Sequence, residues 1–454
     1  MRSAAEKALA RLGGELEGHL SLPGNSAYAA AIDIWARWVG AMPRAVAHCR
    51  SAADVQRAIL AAREAGLPLS VRGGGHDWAG RALCEGLVID LSQMNGVTID
   101  AEGLAAKVAG GARASDVLKA ADPIGLAAVT GSTGVVGMAG LTLGGGYGPL
   151  IGRFGLALDN LIAAEVVLAD GRIIAAGPEQ EEDLYWALRG GGGNFGVVTG
   201  MQHRLHRLPT VRSGALFFPF AEARAVLSGT AEIAASAPDA LTVQIGLAAG
   251  PGGAPVVMII PTWCGAEEEG EARLAPFLRL GTPLTSTVAV TPYGASLTAF
   301  DAHIVNGQRV LIDTCWLAAL DEGSIDALVA AMAGAVSPGC AILTHEFRGA
   351  AARVPADATA FGFRREHVLI EIIVSFEEAA MPNAESEHGV WVRAAVEALA
   401  PFSFPGGYPN LLAPRNFNRA AQSYGPNGDR LAKAKRRYDP DNVFTSAIPL
   451  PVSG

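Results

Sequence analysis

Three consecutive glycines run directly into a histidine in Arg72-Gly73-Gly74-Gly75-His76-Asp77, and no other stretch restricts the fold of this chain so strongly. Adjacent glycines give up side-chain packing and cost backbone entropy, so they belong where another group presses against bare backbone. Two further clusters follow within the first 200 residues, one from Gly131 to Gly155 and one in "RGGGGNFGVVTG". Consecutive N–H groups in tight turns form anion-binding concavities that a side chain would block. A single cluster would read as a turn; three point to one large ligand that carries a pyrophosphate. His76, placed at the end of the first run, has the position for an imidazole that attacks a bound cofactor. Its plain alternative is a capped or solvated loop histidine.

The segments around the clusters fix their local setting. Ser51 and Asp54 make a capping-box pattern, Val55, Ile59 and Ala62 share a helical face, and Gly66 ends that helix. Leu67, Leu69 and Val71 alternate as a strand that feeds the glycine loop, and "GLVIDLS" follows as a second strand. His76 is therefore expected between two strands. "AAEVVLADGRIIAAG" reads as a hairpin that turns at Asp170-Gly171. Gly191-x-Gly193-x-x-Gly196 spells a dinucleotide fingerprint but follows the helix "EEDLYWALRG" and precedes a strand. A Rossmann site needs the opposite order, and no GxxxxGK[ST] is present.

Size and charge exclude other classes. A chain of 454 residues exceeds one hydrophobic core. The net charge of −9, with no basic stripe, argues against nucleic acid. No apolar run suits a membrane span. The polar, amphipathic start lacks the apolar core of a secretory signal, so a cytoplasmic protein is expected. Five widely spaced cysteines form no disulfide framework or metal cluster by their spacing. The composition changes near residue 208, where strand-like stretches such as "APVVMIIPTW" replace the glycine clusters, and it changes back near 405.

With "RGGGH", "GLVIDLS", "GSTGVVGMAGLTLGGGYG", "GLALDN", "DLYWALRGGGGNFGVVT" and the terminal "SYGPNGDRLAKAKRRYDPDNVF" in this order, the chain resembles the berberine bridge enzyme-like branch of the vanillyl-alcohol oxidase flavoproteins, from about residue 35 to the end. The resemblance implies an α+β fold with a two-subdomain, PCMH-type FAD-binding domain over residues 1–208 (core about 38–208). A substrate domain with an antiparallel sheet flanked by helices would occupy 209–404, and a berberine bridge-like segment, 405–454, would return to the FAD domain. The cofactor it implies is FAD, which would be bonded through its 8α carbon to His76. Arg72, Gly73, Gly74, Gly75 and Asp77 would form the loop on the cofactor. Gly131, Ser132, Thr133, Val136, Gly137, Gly140, Gly145, Tyr147 and Gly148 would form its other side, with Val198, Tyr408, Asn410 and Asn427 completing the set.

Two departures narrow the expectation. Some members carry a cysteine where this chain has Thr133, so the flavin link should be single. The aromatic residue that ends the family's Tyr-x-Asn-aromatic pattern, a base in sugar oxidases, is Leu411 here. Tyr408 and Tyr424 remain as catalytic candidates, although packing explains them equally well. His303, His345, Glu346, Arg364 and His367 are polar groups of the substrate domain that sequence does not rank. The implied reaction is hydride transfer from an alcohol, amine or phenol-like molecule to FAD, with O2 reduced to H2O2; Val136 stands where a valine accompanies oxygen access. A dehydrogenase with another acceptor and a flavin-binding protein without turnover are the alternatives. No nucleic acid, membrane or metal is expected as a partner, and the chain is expected to be a monomer or homodimer.

Overall fold

The computed structural model describes residues 3–36, 42–376, 384–412 and 416–451. The expected core start at residue 38 and the last three residues lie outside them. Three sheets organise the chain. The first is four-stranded, in the order His19–Ser21, Ala45–His48, Leu87–Asp90, Leu69–Arg72, and its last three strands are parallel. The helix Ala52–Glu64 covers it with Val55, Ala58, Ile59 and Ala62. Ser51 caps that helix by accepting the Asp54 N–H at 3.2 Å. Asp54 does not complete the box as the pattern predicts: its carboxylate accepts the N–H groups of Glu17, Gly18 and Arg50 and so pins the preceding loops.

The second sheet is antiparallel, with Val197–Arg207 at its centre between Ala105–Ala109 and Leu161–Val167. Leu161–Val167 and Ile173–Ala176 form the predicted hairpin. The third, ten-stranded sheet is built from residues 211–404 and is antiparallel in every pairing. The helices Ala223–Ala235, Glu322–Ala333 and Ala384–Leu399 pack on one of its faces over Leu241, Val243, Ile245, Ile342, Ile370 and Ile372. Mixed helix and sheet, with an antiparallel sheet carrying helices, is the architecture expected. Among the described residues no helix is long and apolar enough to cross a membrane.

The central strand of the second sheet carries one buried histidine, His203, and one half-buried, His206. His203 has only Thr142 Oγ1 as partner, at 3.2 Å, and its Nδ1 has none; His206 stacks on Phe154 at 3.9 Å and meets Asn160. Burial pushes both down to about 4, with Arg204 and Arg153 adding to the effect at His206. Each is neutral when folded and takes a proton when unfolded as pH drops below about 6.5. Stability is therefore fully present above that value and falls as pH descends towards about 4, by up to about 3 kcal/mol for His203. The urea midpoint should shift down over this window, and His203→Gln should flatten the dependence. An unchanged slope in the variant would contradict this assignment.

Candidate functional site

The glycine loop follows the strand Leu69–Arg72, whose end is anchored by a buried network. Arg72 donates to Asp90 at 2.9 Å, Asp90 pairs with His48 at 2.9 Å, and His48 meets Ser21 at 2.8 Å. This corrects one expectation: Arg72 turns away from the cofactor cavity and fixes the loop's take-off point instead. Beyond it, Gly74 lies so close to Gly137 that a Cβ would stand 2.5 Å from the Gly137 Cα and N. Two backbones touch there, which is the physical reason for glycine on both sides.

Gly73, Gly74, Gly75, His76 and Asp77 line a cavity together with Val136, Gly137, Gly140, Val198 and Asn410. The third cluster joins them through Gly192, Gly193 and Gly196. It does so after a helix, Glu182–Leu188, and before a strand, Val197–Arg207, as its order in the sequence required. A Cβ at Gly140 or Gly193 would meet nothing within 4 Å, so those glycines leave room for a ligand rather than for protein. The side chain of His76 lies within this cavity's wall, stacked on Trp35 at 5.3 Å and edge-on to Trp78 at 5.6 Å. Burial lowers it to about 4 against the pull of Asp77 and Glu371, so the imidazole is uncharged at neutral pH. Arg81 reaches the same cavity: its Nε donates to Asp77 at 3.2 Å and its Nη2 to the Asn410 carbonyl, while its buried Nη1 has no partner. A buried, unpaired guanidinium nitrogen calls for an anionic or carbonyl acceptor. Cradle, neutral histidine and unpaired donor all fit FAD.

A second cavity, of about 440 Å³, adjoins the same polypeptide segment through Ser132, Thr133, Gly148 and Pro149. Ser132, Thr133 and Gly148 were expected on the cofactor and face this space instead. Met258, Ile260, Leu297, Phe300 and Leu343 give it apolar walls, and Gln244, His345 and Glu346 are polar points in them. No Lys or Arg is among its described lining residues. The Thr133 hydroxyl is buried without a partner. His345 lies 3.3 Å from Glu371 and 3.4 Å from the Gln244 amide. Glu371, on the strand His367–Phe376, acts electrostatically on His76, Tyr147 and Tyr408 alike.

Other expected residues do not line either cavity. Gly131 packs against Leu141, and Gly145 lies against the Tyr408 ring. Tyr147 is wholly buried, its hydroxyl 2.8 Å from His367 Nε2 and its ring 4.9 Å from that of Tyr408. Tyr408 accepts the Gly146 N–H at 3.0 Å, and burial pushes it up to about 12, so it keeps its proton at neutral pH. The Tyr424 hydroxyl donates to the Gly190 carbonyl at 3.1 Å, and Asn427 donates to Ala356 and Thr359. Both tie chain to chain, because their polar atoms are already used there. Leu411 packs in the core beneath the short turn Pro409–Leu411. His303 is exposed, Arg364 forms a two-pronged pair with Asp159 at 2.8 and 2.9 Å, and His367 is held by Tyr147 and the Arg365 carbonyl.

Sequence reading missed Arg81, Trp35, Glu371 and the stretch 444–448, of which Phe444, Ser446, Ala447 and Ile448 line the first cavity. Glu371 left one sign, a single carboxylate inside the apolar run "HVLIEIIVSF". Arg81 stands four residues after Asp77, the spacing at which the two pair.

The cavity's character predicts two opposite glycine phenotypes. Gly193→Val should fold normally and lose bound flavin, because its side chain enters ligand space. Gly74→Ala should destabilise by about 1–3 kcal/mol, as forced overpacking does. Thermal melts and flavin absorbance separate the two; normal flavin content in Gly193→Val would contradict the placement.

The family model described as FAD binding domain matches residues 43–177, and the one described as berberine and berberine like matches 406–451. The (R)-6-hydroxynicotine oxidase of Paenarthrobacter nicotinovorans is 30% identical over 446 residues, covering 94% of this chain and 95% of its own. The uncharacterized FAD-linked oxidoreductase YvdP of Bacillus subtilis is 30% identical over 451 residues, covering 97% and 99%. The crystal structure of 6-hydroxy-D-nicotine oxidase from Arthrobacter nicotinovorans superposes with a TM-score of 0.87 at 29% identity, covering 96% of this chain and 98% of that one. A berberine bridge enzyme variant in complex with (S)-reticuline shares the fold, with a TM-score of 0.86 at 20% identity over 100% and 99%.

Proposed function

Since this chain belongs to the FAD-linked oxidoreductases of the berberine bridge enzyme-like branch, within the vanillyl-alcohol oxidase flavoproteins, we propose that FAD occupies the glycine-lined cavity, singly bonded through its 8α carbon to His76. The chain is an FAD-dependent oxidase, and its substrate in this reading is a small amine or alcohol bound in the adjoining cavity of about 440 Å³. The observation that carries the reading is the neutral His76 in a wall of glycines, beside an Arg81 nitrogen with no protein partner.

Bound there, FAD supplies the hydride acceptor and the route to O2. The protein supplies position and proton handling. Gly73 to Gly75, Gly137, Gly140 and Gly193 let the cofactor approach backbone, and Arg81 offers its unpaired N–H to an acceptor on it. His345, its Nε2 held by Glu371, takes the proton from the substrate's N–H or O–H on its other ring nitrogen, Nδ1. Tyr408, which keeps its own proton and lines neither cavity, is not the base. Thr133 has no thiolate for a second flavin bond, a hydroxyl being a far weaker nucleophile.

The substrate class follows from the lining. Apolar walls, nearby carboxylates and no Lys or Arg suit a neutral or cationic ring amine or alcohol better than an acid. The name of the relative (R)-6-hydroxynicotine oxidase points in the same direction. Anaerobic mixing with a panel of cyclic amines, alcohols and phenols should bleach the yellow enzyme with at least one amine or alcohol. Air should then restore the colour and yield H2O2. Rapid recovery with an artificial dye but not with air would contradict O2 as the acceptor.

A further inference from the structure

The ten-stranded sheet opens between two of its central strands. Leu241–Ala249 and Cys340–Phe347 pair from Ala248–Ala341 to Gly246–Leu343, and there the ladder stops. The next inward N–H groups, Ile245 and Val243, are taken by side chains of the facing strand: Thr344 Oγ1 at 3.0 Å and Glu346 Oε2 at 2.8 Å. By alternation, Thr344 and Glu346 belong to the sheet face that carries the helices, and His345 belongs to the opposite face. Thr344 accordingly lines an outer cavity of about 750 Å³ between the helices and the sheet, while His345 lines the inner cavity beside Thr133. Glu346 lines both. Its carboxyl fills the gap where the backbone ladder is missing.

We propose that Glu346 is a proton gate through the sheet, passing protons between the inner cavity and the outer one. This rests on the oxidase reading above, which supplies the proton to be moved. Oxidation of an amine or alcohol sends a hydride to the cofactor and releases one proton from the N–H or O–H. Return of the electron pair to O2, giving H2O2, consumes one proton. A proton must therefore be parked or exported between the two half-reactions, and the sheet otherwise closes the inner cavity off on the helix side. The carboxyl accepts it by forming an O–H bond and returns it by breaking that bond, with no redox change.

Burial raises the Glu346 carboxyl to about 7, against the opposing effects of the Val243 N–H and Arg348, so both of its forms are populated near neutral pH. The charged groups around the outer cavity come from every packed element. Arg224 and Glu232 lie on one helix and Glu322 and Asp326 on the other. Glu366 and His367 come from the neighbouring strand, and His345 faces from the inner side. Arg348 is committed to the Ala234 and Ala237 carbonyls.

Infrared difference spectroscopy of the flavin-loaded enzyme, titrated across neutral pH, tests this. Wild type should show a protonated-carboxyl band that titrates near neutrality, and Glu346→Gln, which can still accept the Val243 N–H, should lack it. On transfer to D2O the band should shift rapidly. Ala231→Phe, which fills the outer cavity, should slow that shift by about tenfold or more, since exchange would then wait for local opening; Ser228→Phe serves if the first plug misfolds. Absence of the band, or a shift as fast in the plugged variant, would overturn the gate. Bleaching by substrate and recovery in air, retained in these variants, shows that either failure leaves the oxidase reading standing.

Discussion

His76→Ala is expected to abolish covalent flavin altogether while leaving a folded protein that holds FAD by contacts alone. A nucleophilic imidazole needs a free lone pair, and desolvation supplies it by holding the ring near 4. Trp35 and Trp78 confine the ring on two sides, and the Trp35 N–H, bonded to the Gly75 carbonyl at 2.9 Å, fixes the backbone just before it. Thr133 offers only a hydroxyl where a second bond would need a thiolate, and it faces the other cavity. Denatured wild type should keep its flavin fluorescence on a gel, and His76→Ala should lose all of it. Loss of the electron-withdrawing link should also lower the flavin's reduction potential and slow substrate oxidation. Fluorescence retained by His76→Ala would move the bond to another residue.

Glu371→Gln is expected to slow reduction of the flavin by substrate by about a hundredfold to ten-thousandfold, the range typical of general acid–base groups. The carboxylate is 3.3 Å from His345 Nε2, and in the proposed mechanism it would stabilise the positive charge on His345 as that residue takes the substrate proton. Glutamine keeps the size and a hydrogen bond but removes the charge. Flavin content should remain at the wild-type level, since Glu371 lines no part of the glycine cavity. The lost rate should be partly recovered at higher pH, where the substrate gives up its proton more easily. An unaffected reduction rate would remove Glu371 and His345 from the chemistry and leave them as packing.

What the sequence made legible was the local part of the site. The run Gly73 to His76 lies between two strands as the alternation of Leu67, Leu69 and Val71 required, and the helix-before-strand order of the third cluster was readable without coordinates. FAD and the oxidase class followed from the ordered motifs. Side chains whose role depends on tertiary direction were not legible. Arg72 and Asn427 stand in the right motifs, yet Asp90 takes the Arg72 Nη1 and the Ala356 and Thr359 carbonyls take the Asn427 amide. Tyr424 is lost to the Gly190 carbonyl for the same reason. Glu371 and Arg81 come from segments far apart in the chain, and only folding brings Arg81 to Asn410 or Glu371 to His345. Splaying of the strands at Glu346 shows in the sequence only as three consecutive polar residues, Thr344, His345 and Glu346, after the apolar run "CAIL".

The most direct test of the covalent flavin is the mass of one peptide. Trypsin cuts after Arg72 and Arg81, releasing Gly73–Arg81, "GGGHDWAGR", which contains His76 as its only histidine. From aerobically purified wild-type protein this peptide should carry the mass of FAD, and fragmentation should place the addition on His76. The unmodified peptide alone, from protein that is yellow before denaturation, would contradict the account.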